Sequence, residues 1–195
     1  MSSSIPIEWS FPQLLLNSAL STYGLYVSYQ NITRLQQYEK QSEKAAEWSS
    51  TAAQRLHKTR TTQTSGTLTL MISFLTSTTL VVMPSLASPT VLVGTSLANT
   101  AILFASRTHM ANFWNESNQT RIPFLKKFNE AVRGSENVVL HLGTLSIAWV
   151  GPGIAWLAMK QGLILAGKIV LMVWAVALGT RIMYVCNEMG WSVRA

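Results

Sequence analysis

Three polar side chains with chemical potential stand inside otherwise apolar stretches: Asn99, His141 and Lys168. Ionisable groups at membrane depth are costly, so each is read first as a functional candidate. His141 is the candidate catalytic residue, an imidazole able to take or give a proton near neutral pH. A second role for it, an interhelical or interfacial hydrogen bond, stands beside the catalytic one. Lys168 has a four-carbon stem along which its ammonium can reach the interface near Lys160. Ten residues after His141 comes the triplet Gly151-Pro152-Gly153, flanked by Trp149 and Trp156. A proline there removes a backbone donor and the glycines leave space, so the triplet either kinks a helix or breaks it around a cavity. With Asn99 and Lys168 these residues would line such a cavity.

An enzyme built on these residues would act on a lipophilic substrate, as a cyclase, oxygenase or isomerase does. His109, His141, Glu116, Glu130 and Glu136 could supply an acid/base pair or metal ligands at one membrane face. No HExxH, HxxxH, serine elbow or paired-carboxylate motif organises them, so no metal site is assigned and no cofactor is identified. The single cysteine, Cys186, excludes an intrachain disulfide framework.

The elements that must position these residues are long apolar runs. Residues 61–106 contain no Asp, Glu, Lys or Arg, and Pro84 and Pro89 divide them into two blocks. Each block is long enough, at about 1.5 Å per residue, to cross most of a hydrocarbon core of about 30 Å. This is a first transmembrane hairpin. Residues 137–180 form a second, interrupted by Lys160 and Lys168 with a short link at 160–162. Thr90, Gly94 and Ala98, and likewise Ala175 and Gly179, recur at four-residue spacing, a pattern for close helix packing or self-association.

Around the hairpins lie polar segments. Residues 34–60 lack Gly and Pro and read as a juxtamembrane helix whose basic end, Arg55, Lys58 and Arg60, meets phosphate headgroups. Residues 107–136 hold an amphipathic helix with Phe124, Leu125, Phe128 and Val132 on one face, lying in the membrane plane or covering the bundle end. In residues 1–33, Leu16, Leu20, Tyr23 and Val27 recur at helical spacing, which predicts an interfacial helix or a fifth span. A tail, 181–195, completes the chain. Sequons start at Asn31, Asn115 and Asn118.

The fold class expected is therefore all-α, a polytopic transmembrane bundle with four spans and an N-terminal segment that is interfacial or spanning. Only 12% of residues are charged, against about 25% in soluble proteins. The net charge of +7 comes without any nucleic-acid motif, so anionic headgroups of the bilayer are the expected partner rather than nucleic acid. Thirteen of the 15 Lys and Arg residues fall in 34–60, 107–136 and 181–195. With four spans these share one side, and the positive-inside rule puts both termini there, facing the cytosol. Apolar blocks of about 18 to 20 residues suit a thin internal membrane such as the endoplasmic reticulum or a mitochondrial membrane. The primary functional expectation is an interaction, assembly or membrane-organising component with membrane-protein partners or copies of itself. The alternative is the membrane-embedded enzyme outlined above.

Overall fold

The computed structural model describes residues 7–114 and 126–188, and these form five α-helices with no strand. They are α1 (Ile7–Trp48), α2 (Ser50–Val82), α3 (Pro89–Trp114), α4 (Lys126–Lys160) and α5 (Ile164–Glu188). Four helical segments are long and apolar enough to cross a membrane: Ala53–Val82, Pro89–Trp114, Val132–Lys160 and Ile164–Glu188.

The connections are built as their residues dictate. Pro84 opens a single 3-10 turn, Pro84–Leu86, after α2. Ser88 then caps α3: its carbonyl accepts from Leu92 N–H at 2.9 Å, and Pro89 takes the first helical position, where a missing N–H costs nothing. Between α4 and α5, Gly162 adopts φ +84°, the left-handed conformation that closes a helix end. Its N–H reaches Met159 O and the next N–H, of Leu163, reaches Ala158 O, both at 3.0 Å.

Successive helices run antiparallel. α1, α2, α3 and α4 form a ring in which each packs on its chain neighbour and α4 closes onto α1; α5 lies outside against α4. The central element is α4, with 72% of its apolar window buried against 28%, 33% and 22% for the spans of α2, α3 and α5. The interior mixes a hydrophobic core, with Leu14, Leu70, Leu103, Leu142 and Trp149 fully buried, and many buried polar side chains, while much of the outer surface is apolar. Ser10, Asn17, Ser21, Ser28, Asn31, Gln63, Ser73, Ser77 and Ser135 are buried, while Leu15, Leu68, Leu75, Phe104, Leu165, Met172, Val176 and Met183 are exposed. An apolar surface over an interior that holds polar side chains, several of them hydrogen-bonded between helices, is compatible with a hydrocarbon solvent.

Several expectations are revised. Of the two alternatives for the N-terminal segment, interfacial or spanning, the packing bears on the second: α1 runs antiparallel alongside α2. Ser18 meets Thr78 (3.0 Å), Ser21 meets Ser73 (2.9 Å) and Ser28 meets Thr67 (2.8 Å) along its length. Its buried stripe is the small and polar one, Ser10, Asn17, Ser21, Gly24, Ser28 and Asn31, and the stripe of Leu16, Leu20, Tyr23 and Val27 is half-buried. The polar stretch 34–60 is not one helix. It folds back at Ser49, whose carbonyl accepts the first bond of α2 from Ala53 N–H at 3.0 Å, so a run of Ser49, Ser50 and Thr51 breaks what no Gly or Pro does. Residues 126–136 are not a separate amphipathic helix but the first turns of α4, with Val132 in the core. Phe124, Leu125 and the sequons at Asn115 and Asn118 lie outside the described residues. In the remaining sequon the acceptor Asn31 is itself buried.

Candidate functional site

His141 projects from α4 toward α1. Gly24 makes this approach feasible, because a Cβ there would lie 2.5 Å from His141 Cδ2 and 2.8 Å from Leu70 Cδ2. The imidazole Nε2 sits 2.7 Å from the carbonyl of Leu20, and a carbonyl only accepts, so Nε2 donates. In the neutral ring the lone pair then rests on Nδ1. The Tyr23 ring stands edge-on at 5.3 Å and 67°. Beside this pair is a small pocket of about 140 Å³ between α1, α4 and α5, lined by Leu20, Tyr23, His141, Thr144, Ile182 and Cys186. Thr144 Oγ1 donates to Leu140 O at 3.0 Å, which leaves the pocket wall almost entirely apolar. A small lipophilic group fits this chemistry; a charged one does not.

Gly151-Pro152-Gly153 remains helical within α4, so the backbone bends around no re-entrant break. The glycines serve as seats. The Trp174 indole occupies the space a Cβ would take at Gly151, and the Ser96 hydroxyl does so at Gly153. Pro152 lacks the N–H that would meet the Ala148 carbonyl four residues back. On either side of that carbonyl, neighbouring helices supply donors: Trp174 Nε1 to Ile147 O at 2.8 Å, and Ser96 Oγ to Trp149 O. These bonds tie α3 and α5 to α4 on both sides of the proline, at carbonyls adjacent to the one it leaves free.

The remaining candidates fall around this level of the bundle. Trp149 is fully buried, and its Nε1 donates to Ser73 Oγ at 2.8 Å, which links α4 through Ser73 and Ser21 to α1. Trp156 is fully buried, and its Nε1 meets no acceptor among the described residues. Asn99 gives Nδ2 to Thr95 O at 2.9 Å, while its Oδ1 meets no donor among the described residues. Lys168 is half-buried early in α5, next to Gly167, which packs on Ala155 and Met159. His141 stands about 12 Å from Trp149 along α4 and faces a different groove. The structure therefore separates the imidazole from the Gly-Pro-Gly segment.

Among the described residues no three His, Cys, Asp or Glu side chains gather to hold a metal. His109 lies on α3, in the cleft it forms with α2, and Glu130 is exposed at the start of α4.

A polar clasp joins α1, α2 and α4 toward the basic end, and no single residue type in the sequence points to it. Ser135 Oγ accepts from Asn31 Nδ2 and from Gln63 Nε2, both at 2.9 Å. Gly134 leaves the space that the Asn31 amide occupies. The available signal is a heptad: Ser10, Asn17, Gly24 and Asn31 alternate with Leu14, Ser21, Ser28 and Leu35, and all eight are buried.

No family model matches the chain, and no curated protein or solved structure is found to be similar to it.

Proposed function

We propose that this chain is an integral membrane assembly component that presents the α1–α2 hairpin as a docking arm. The carrying observation is the length of the hairpin. From Arg34 to Trp48, α1 continues about 21 Å past the apolar part of the bundle, and α2 returns alongside it. The side chains described there from 43 to 58 are exposed apart from the half-buried Leu56, and Arg60 Nη2 pairs with Glu43 Oε1 at 2.6 Å across the two arms. A polar arm that buries little of itself adds little to the bundle's own stability. An exposed helical arm of this kind suits recognition by a protein partner at the membrane surface.

Because α1 stands beside α2, it crosses the bilayer with it, which makes five crossings. The basic ends then face the cytosol by the positive-inside rule, with the hairpin tip and the C-terminus on that side and the N-terminus opposite. An internal membrane, endoplasmic reticulum or mitochondrial, remains the best match to the short uncharged cores.

The test is to replace residues 40–57 with a short Gly-Ser linker, purify the full chain in mild detergent from its native membrane, and analyse what accompanies it by native mass spectrometry. A stoichiometric partner lost with the tip, from a bundle of unchanged thermal midpoint, supports the docking arm. Unchanged partners refute it. A second reading, an enzyme for a lipophilic substrate, is favoured by the apolar pocket beside His141. A lone chain that carries a defined lipophilic molecule, lost in His141→Ala, would support that reading instead.

A further inference from the structure

The cleft between the first turns of α2 and the end of α3 carries charge of one sign. Arg55 and Lys58 from α2 and His109 from α3 line it with Gln54, Asn112 and Phe113, enclosing about 370 Å³. Among the described residues no carboxylate lines it, and neither Arg55 nor Lys58 forms an ion pair. Arg60, by contrast, is already engaged by Glu43. The cleft wall is fixed by hydrogen bonds. Trp114 Nε1 donates to Thr62 Oγ1 at 3.1 Å, and that hydroxyl donates to the carbonyl of Lys58 at 2.9 Å. The last turn of α3 is thereby tied to the turn of α2 that carries Lys58.

Depth identifies the ligand's setting. Lys58 and Arg55 precede the uncharged stretch 61–106 by three and six residues, about 4.5 and 9 Å along a helix, and His109 follows it by three. The headgroup layer beyond the hydrocarbon core is about 5 to 8 Å thick on each side.

We propose that this cleft binds a phosphomonoester, supplied as the headgroup of an anionic lipid. Such a group carries a charge of about −1.5 to −2 and three acceptor oxygens, which matches one guanidinium fork, one ammonium and neighbouring N–H donors better than a singly charged diester. The volume lies in the lower part of the range of about 300 to 1,000 Å³ typical of ligand pockets, and so exceeds what a bare phosphate needs. Phe113 gives the remainder of the headgroup an apolar wall.

The experiment titrates the full chain, purified in mild detergent, with dioctanoyl phosphatidic acid, dioctanoyl phosphatidylcholine and glycerol 3-phosphate, and reads bound equivalents by native mass spectrometry. Wild type is expected to retain one phosphatidic acid in preference to phosphatidylcholine. Arg55→Gln/Lys58→Gln should weaken it about tenfold or more, and His109→Gln should weaken it in the same direction. Arg34→Gln/Arg133→Gln removes the same charge elsewhere and should leave binding within about twofold, since diffuse surface charge contributes little at a single site. All four side chains at these double-variant positions are exposed, and an unchanged thermal midpoint confirms that each variant is folded. Equal loss in both double variants, or no loss in the cleft variant, would overturn the site. Competition by glycerol 3-phosphate as strong as that by the lipid would overturn the lipid source and keep the phosphomonoester.

Discussion

At the residue scale, the bundle is organised by glycines that receive polar guests. Gly24 seats His141, Gly134 seats Asn31, Gly143 seats Arg107, and Gly151 and Gly153 seat Trp174 and Ser96. At Gly24, Gly134, Gly151 and Gly153 one helix allows another's side chain to reach a carbonyl or a hydroxyl, and in lipid such contacts replace the hydrophobic drive between helices. Gly94 and Gly179 differ: nothing lies within 4 Å of a Cβ built on either, and both face outward. Their four-residue spacing with Thr90, Ala98 and Ala175 therefore does not pack this chain. Gly24→Val and Gly134→Val are expected to lose about 1 to 3 kcal/mol by overpacking against His141 and Asn31. Gly94→Val and Gly179→Val should stay within about 0.5 kcal/mol of wild type. Unfolding in mixed detergent micelles reads both, and comparable losses at all four positions would remove the distinction between seats and outer faces.

At the scale of elements, α1 is the informative case. On the proposed five-crossing reading, lipid covers Thr22, whose side chain is on the bundle's outer surface. In a Cys186→Ser background, a cysteine at Thr22 should resist a membrane-impermeant maleimide from both sides, whereas one at Gln54 should react readily. A helix lying in the interface would label at Thr22. The two hairpins were legible in the sequence because uncharged length and paired prolines at 84 and 89 carry the same meaning in any apolar solvent. The orientation of α1 was harder to read. Amphipathic periodicity assumes that apolar residues point inward, so the Leu16, Leu20, Tyr23 and Val27 stripe implied a face buried against lipid or bundle with polar residues in water. With hydrocarbon outside, burial favours polar groups that find partners in neighbouring helices, as Ser21, Ser28 and Asn31 do. His141 and Tyr23 could be singled out as types, but their meeting depends on Gly24 and on α1 standing upright, which no local pattern encodes. The triplet at 151–153 was legible as a special backbone, yet only the positions of Trp174 and Ser96 show it to be filled rather than hollow.

At the scale of the whole molecule, the number of crossings decides where the ends of the chain lie. If α1 crosses, the helices traverse the membrane five times and the two ends emerge on opposite sides; four crossings would place them together. Three observations support the odd number. The α1 contacts with α2 extend from Ser18–Thr78 near the prolines to Asn31–Gln63 near the basic end, almost the full height of the apolar part of α2. α1 also packs along α4 with the same antiparallel sense, through His141 to Leu20 and Ser135 to Asn31. Its outer surface, with Phe11, Leu15 and Tyr26 exposed, continues the apolar sheath of the other helices. On the proposed reading the positive-inside rule sets the direction, because the end bearing the α1–α2 hairpin holds most of the Lys and Arg. In sealed vesicles whose outer face is the cytosolic one, a protease added outside should remove an epitope tag from the C-terminal end of the chain and leave one at the N-terminal end intact until detergent opens the vesicle. Simultaneous loss of both tags from intact vesicles would return α1 to the membrane surface, and the hydrogen bonds it makes with α2 and α4 would then have to form outside the bilayer, where water competes for each of them.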